Sequence, residues 1–224
     1  SDDGAEHVGN ILGVDDHGKM GCALAMNKVG DVLAIGICGV DKVQVYILVG
    51  TSWNQLGPDI LGSTHGMTGV DFGSALALSW DGFTLAVGTR GNHGSATANQ
   101  AVVVVWNENN NAWERRGDAF TDAPSLGLEY EIASPNVALS ADGQTFAFGA
   151  PGGDYVQVFG WYGTEWRQLG GDGAAAGNIV GETGGRGGWA VGLSYDGRRV
   201  MSFSPNSNSG SGDVAIYDAV LPTP

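Results

Sequence analysis

The chain is poor in the residues that would tie it to nucleic acid, membranes or redox chemistry. Of its 224 residues only 10 are Lys or Arg, against 24 Asp or Glu, which gives a net charge of −14. A surface this acidic repels phosphate backbones and anionic lipid, so neither nucleic acid nor an anionic membrane is an expected partner. No apolar run reaches the length that spans a bilayer, and the longest, Ala101-Val-Val-Val-Val-Trp106, is strand-sized. The opening Ser1-Asp-Asp-Gly does not read as a signal or transit peptide, so either a targeting segment has been removed or the chain needs none. There are two cysteines, four histidines and no Asn-x-Ser/Thr sequon.

With a simple hairpin about Asn27 to Asp31, Met26 lies opposite Val32 and Cys22 opposite Gly36, which puts Cys38 diagonal to Cys22 at about 7–8 Å. Bridging needs Cβ atoms near ~3.8 Å. Both are therefore expected as free, buried thiols. With the missing sequon they favour a reducing compartment, such as a plastid stroma, over secretion.

Glycine is abundant, at 39 residues, with no Gly-X-Y period. It suits many tight turns. Those turns recur. Leu78-Ser-Trp-Asp-Gly82, Leu139-Ser-Ala-Asp-Gly143 and Leu193-Ser-Tyr-Asp-Gly197 each separate two apolar runs, and Met26-Asn-Lys-Val-Gly30 is a degenerate fourth copy. Asp-Gly between apolar runs is a hairpin signal. Self-similarity at 52 to 61 residues with all-β texture predicts a propeller or related β array.

Each repeat reads as four short antiparallel strands. In the second, strand one is 73–79, strand two 83–88, strand three 101–106, and strand four runs from Trp113 towards Phe120. Strand three recurs as Val43-Gln-Val-Tyr46, Val156-Gln-Val-Phe159 and Val214-Ala-Ile-Tyr217. The outer strand recurs as Trp53-Asn-Gln-Leu-Gly57, Trp113-Glu-Arg-Arg-Gly117 and Trp166-Arg-Gln-Leu-Gly170. The fold expected is all-β, with four propeller-like blades of four-stranded antiparallel sheet in one domain, 1–224. The repeats fall at about 14–62, 63–120, 121–176 and 177–224. The fourth shows no outer strand. Val8-Gly-Asn-Ile-Leu-Gly13 resembles Leu56-Gly-Pro-Asp-Ile-Leu-Gly62, so residues 1–13 are expected to supply that strand, to the same chain or to a neighbour.

The repeat pattern, carried by Trp53-Asn-Gln-Leu-Gly57, Phe72-Gly73, Leu78-Ser-Trp-Asp-Gly82 and Ala147-Phe-Gly-Ala-Pro151, resembles the FG-GAP and WD-repeat-like propeller blades of algae, especially diatoms, and of marine bacteria. No Asp-x-Asp-x-Asp-Gly loop is present, so the calcium role of integrin-type blades does not carry over. More distantly the chain is similar to the acidic shell proteins around the diatom pyrenoid. That likeness implies self-assembly into a sheet or shell.

Chemistry-bearing motifs are sparse. His7, His17, His65 and His93 lack metal-ligand spacing, and no nucleophile elbow or phosphate loop occurs. No catalytic residue, cofactor or metal is expected. Ser-x-Asp-Gly reads as a turn held by its own serine. The glycine-rich 170–188 and the polar loop 89–100 read as linkage or as binding loops.

Trp80 and Tyr195 share one turn position, and Phe83 sits just past the turn. Large aromatics there suggest a contact surface. With Val8, Ile11 and Leu12 at one end, and Ile216 and Tyr217 at the other, they are the assembly candidates. The expected function is a non-enzymatic structural protein whose partners are copies of itself. Trp53, Trp113 and Trp166 offer the alternative, a carbohydrate- or protein-binding module.

Overall fold

The computed structural model describes residues 9–13, 17–67, 70–90, 100–121, 137–170 and 177–219. These form four antiparallel sheets. The first holds β1 (Met20–Met26), β2 (Val32–Ile37), β3 (Lys42–Val49), β4 (Ser52–Gln55) and β5 (Ile60–Leu61). The second holds β6 (Val70–Leu78), β7 (Thr84–Arg90), β8 (Gln100–Asn107), β9 (Ala112–Arg115) and β10 (Phe120–Thr121). The third holds β11 (Val137–Leu139), β12 (Thr145–Ala150), β13 (Tyr155–Trp161), β14 (Trp166–Gln168) and β15 (Ile179–Val180). The fourth holds β16 (Ala190–Leu193), β17 (Arg199–Ser204) and β18 (Asp213–Asp218).

The expected outer strand is present but broken in two. In the first three sheets both pieces pair with strand three, and a glycine with positive φ, such as Gly57 or Gly117, separates them. No L-residue sits easily there.

The hairpins behave as turns held by their serines. Ser79 donates to Asp81 and accepts from the Thr84 amide at 3.0 Å; Ser140 and Ser194 do the same with Asp142 and Thr145, and with Asp196 and Arg199. In the first sheet Asn27 Oδ1 takes the same role, accepting from the amides of Gly30, Asp31 and Val32.

The sheets stack in sequence order because their strands are apolar on both faces. Val32, Ala34, Val43, Val45 and Ile60 of the first pack on Phe72, Leu85, Val87, Val102 and Val104 of the second. Ala86, Ala101, Val103 and Phe120 of the second pack on Val137, Phe146 and Phe148 of the third. Ala147, Val156 and Val158 of the third pack on Val200 of the fourth, with Val191 and Leu193 alongside. The hairpins follow the same order. A Cβ on Gly82 would strike Val32 at 2.6 Å, on Gly143 Thr84 at 2.9 Å, and on Gly197 Thr145 at 2.5 Å.

The cysteines depart from expectation. Cys22 and Cys38 form a disulfide with Cα atoms 6.1 Å apart. The strands do not pair one to one. Leu24 lies opposite Ile35, but the next pair is Met20 with Ile37, so Gly21, Cys22 and Ala23 bulge against Gly36 alone. The bulge turns on Gly21 at φ 87° and swings Cys22 onto Cys38. The second sheet has the same bulge at Gly73, φ 90°, so the Phe72-Gly73 motif is a bulge signal. The bridge removes the thiols as grounds for a reducing compartment.

The glycine-rich stretch divides. Residues 171–176 lie outside the described residues, as do 91–99 of the polar loop. Residues 181–188 are turns fixed to the third sheet, where Asp154 accepts from the amides of Gly184 at 2.7 Å and Arg186 at 2.6 Å.

If the hairpin glycines are packing positions, Gly143→Ala costs more than Gly30→Ala. Both pay about 1–2 kcal/mol for positive φ. Only Gly143 also collides with a neighbouring sheet, because Gly30 meets nothing closer than Met26 Sδ at 3.8 Å. Thermal denaturation of the two variants is expected to place Gly143→Ala lower; equal midpoints would contradict the stacking account.

Candidate assembly interface at the two ends of the array

Strand register makes the sheets comparable position by position. Gly36 pairs with Val43, Gly149 with Val156 and Phe203 with Val214, so Ala34, Ala147 and Met201 correspond, as do Val43, Val156 and Val214, and Val45, Val158 and Ile216. In the first and third sheets these positions face the next sheet and are sealed. Ala34, Val43 and Val45 are 0%, 0% and 1% exposed, while Met201, Val214 and Ile216 are 52%, 60% and 68% exposed. The opposite end is the mirror case. Leu76 and Leu78 of β6 pack into the core between the first two sheets. Their counterparts on β1, Leu24 and Met26, are exposed, as is Val29 in the adjoining turn. The first sheet thus shows Leu24, Met26 and Val29 uncovered on its rear face, where Ile35, Lys42 and Gln44 are buried, and the fourth shows an uncovered forward face.

One position differs. Gly36 and Gly149 admit the backbone carbonyls of Gly73 and Gly188 from the next sheet. Phe203 stands at that position in the fourth sheet. A neighbour laid on the fourth sheet would meet a ring there and stand further off at that end.

The N-terminal segment belongs to the rear face of the first sheet. A Cβ on Gly13 would lie 3.2 Å from Met20 Cβ, as one on Gly62 would lie 3.1 Å from Phe72 Cβ, and Met20 and Phe72 correspond in register. Gly9 lies beside Trp53, as Gly117 lies beside Trp166, the matching tryptophan of the next sheet. Residues 9–13 therefore sit against the first sheet as 57–62 sit against the second. Ile11 is half-buried and Leu12 is 77% exposed. Val8 lies outside the described residues.

The turn aromatics are brought together. Trp80 and Tyr195 meet edge to face with centroids 4.9 Å apart. The third hairpin links them: the Trp80 amide donates to the Ala141 carbonyl at 2.8 Å, and the Ala141 amide to the Tyr195 carbonyl at 2.9 Å. Phe83, just past the turn, is partly exposed. Ile216 and Tyr217 point to opposite faces of β18. Tyr217 lines an open groove beside β15 with Glu182, Ser202, Ser204 and Asp213.

The outer tryptophans join sheets. Trp113 Nε1 donates to the Leu56 carbonyl at 3.0 Å, and Trp166 Nε1 to the Arg116 carbonyl at 2.6 Å. The Arg116 guanidinium also lies over the Trp161 ring at 4.7 Å. Sequence reasoning missed a polar cluster on the rear of the first sheet. Asp59 accepts from Lys42 at 2.9 Å and from Gln44 and Gln55 at 2.8 Å, and Tyr46 donates to Gln44. The third sheet repeats it in neutral form, with Gln157 and Gln168 donating to Asn178. Spacing carried the signal: Asp59-Ile60-Leu61-Gly62, Asn178-Ile179-Val180-Gly181 and Asn10-Ile11-Leu12-Gly13 are one motif.

Burial would raise the Asp59 carboxyl, but hydrogen bonds from Gln44, Lys42 and Gln55, with the Lys42 charge, hold it below the ordinary carboxylate value. The His65 imidazole is lowered, first by burial and then by the Arg115 charge. Among the described residues no three His, Cys, Asp or Glu lie close enough to hold a metal, and no helix is long and apolar enough to cross a membrane.

Four antiparallel sheets stacked in sequence order define a propeller-like all-β fold, and solved structures agree. The chain is similar to Kuenenia stuttgartiensis hydrazine synthase at 16% identity and TM-score 0.55, covering 94% of this chain and 49% of that one. It is similar to the Pseudomonas aeruginosa periplasmic gluconolactonase PpgL at 15% and 0.54, covering 89% and 57%. It is also similar to a Lactobacillus plantarum protein at 12% and 0.51, covering 88% and 56%. The chain spans about half the length of these structures, and the likeness is one of fold. No family model and no curated protein matches the chain.

A carboxyl held low stabilises the fold above its unfolded value of about 3.9, and that contribution is lost as pH falls through the lower folded value. Asp59→Asn is therefore expected to melt below the parent at pH 7, with the gap narrowing over the acid range that begins at about pH 4. A gap of the same size at pH 7 and in that acid range would show that the Asp59 charge is not linked to folding.

Proposed function

We propose that this chain is a non-enzymatic structural protein that associates with copies of itself. In this reading its four sheets are four propeller blades, and the first and last blades are its contact surfaces. The observation that carries it is the contrast between Ala34, Val43 and Val45, which are sealed, and Met201, Val214 and Ile216, which are half-exposed or more. Side chains that a sheet of this kind buries at each internal junction stand uncovered on the fourth sheet, and on the first Leu24 and Met26 do so beside a buried Ile35. Exposed contiguous apolar faces of this sort mark protein contacts. The shell-like assembly implied by the sequence resemblance is one extended form such contacts can build.

The carbohydrate alternative drew on the outer tryptophans. Trp113 and Trp166 are engaged in bonds between sheets, which leaves that alternative with Trp53 alone of the three residues that motivated it.

Ile216→Lys places a charge on the fourth sheet's forward face. Burying Ile216 is worth about 1.5–3 kcal/mol, and burying an unpaired charge costs more, so association is expected to weaken ~100-fold or more. Deleting residues 1–13 is expected to abolish assembly. Size-exclusion chromatography with light scattering reads both, and circular dichroism checks the fold. Oligomers of parental size from both variants would remove this function.

A further inference from the structure

Among the described residues the fourth sheet lacks the piece that closes each of the other three, and the first sheet carries a further copy of it. In the three complete sheets a two-residue strand pairs with the start of strand three in one register. Ile60 lies opposite Val43 and Leu61 opposite Lys42; Phe120 opposite Ala101 and Thr121 opposite Gln100; Ile179 opposite Val156 and Val180 opposite Tyr155. The corresponding positions of the fourth sheet are Val214 and Asp213. Val214 is 60% exposed, and the fourth sheet is three-stranded among the described residues.

Residues 10–13 repeat the closing motif, as Asn10-Ile11-Leu12-Gly13 beside Asp59-Ile60-Leu61-Gly62 and Asn178-Ile179-Val180-Gly181. They are already seated against the first sheet in the place that a preceding sheet's closing strand would hold, with Gly13 on Met20 and Gly9 beside Trp53. That preceding sheet is not the fourth sheet of the same chain, whose matching edge is open to solvent. We infer that a second copy supplies it: residues 10–13 of one copy pair with β18 of the next, Ile11 opposite Val214 and Leu12 opposite Asp213.

This inference rests on the self-association proposed above and adds its geometry. Strand addition satisfies the free amides and carbonyls of an edge and fixes register through side chains. Ile11 and Val214 would then lie side by side beneath the first sheet of the copy that owns Ile11, as Ile60 and Val43 lie beneath the second sheet. The contact is head to tail, so repetition gives rings or filaments, each containing the same junction. Phe203 at the inner end makes this junction wider there than the internal ones.

The test mixes two singly substituted full-length proteins, Ile11→Cys and Val214→Cys, under non-reducing conditions that keep Cys22 and Cys38 paired. A short bis-maleimide is added and the products are separated by mass, with light scattering of each sample alongside. The inference predicts a crosslinked heterodimer from the mixture, several-fold above a mixture of Ile11→Cys with Val180→Cys. An Ile11→Cys/Val214→Cys double variant that crosslinks only within one chain, with no heterodimer from the mixture, would show self-closure and overturn it. Oligomers in light scattering without crosslinking above the control would overturn this register and leave self-association standing. Monomers throughout, without a crosslink, would overturn both.

Discussion

A sheet whose strands are apolar on both faces has to be covered twice. Strand three of the first sheet presents Val43 and Val45 forward, and strand three of the second presents Val102 and Val104 to meet them, with Ala101 and Val103 on its other face. No sheet of this kind is stable alone, since each face left in water forgoes the burial that offsets the entropy of ordering the strands. The stacking order, the small residues at Ala34, Ala86 and Ala147, and the hairpin glycines all follow from that need. So does the condition of the two end sheets, each of which packs on one neighbouring sheet among the described residues.

The polar parts of the chain serve the same stacking. Asp41, held in a left-handed conformation, takes the amide of Phe72 at the start of the next sheet, and Asp154 takes two amides of the segment that leads into the fourth. Trp113 and Trp166 each donate to the outer strand of the preceding sheet. Bonds of this type add direction to packing that is otherwise non-directional, and they make each junction a repeat of the last. A binding face built from repeats is then expected where the repetition stops, because that is where the complement is missing.

Much of this is legible in the sequence. The Ser-x-Asp-Gly turns, the period, the strand-three runs and the bare β18 follow from spacing and alternation. Those features are local, or recur often enough to be compared. The bulge was harder. Counting residues one to one across the first hairpin leaves Cys22 diagonal to Cys38, and only the match of Gly21 to Gly73 hints that the strand steps out and brings the sulfurs together. The Asp59 cluster was hidden for a different reason. Its members are at positions 42, 44, 55 and 59, on three segments, and nothing but strand register brings them to one face. The pairing of Trp80 with Tyr195 depends on the turn of the array about its axis, which no single repeat encodes.

The central claim is that the end faces are covered by another copy. Sedimentation velocity of the unmodified chain across a hundredfold range of concentration tests it most directly. The account predicts a mass that rises with concentration from that of one 23.0 kDa chain to a dimer or larger assembly. A single species of one-chain mass at every concentration, with the fold intact, would contradict it.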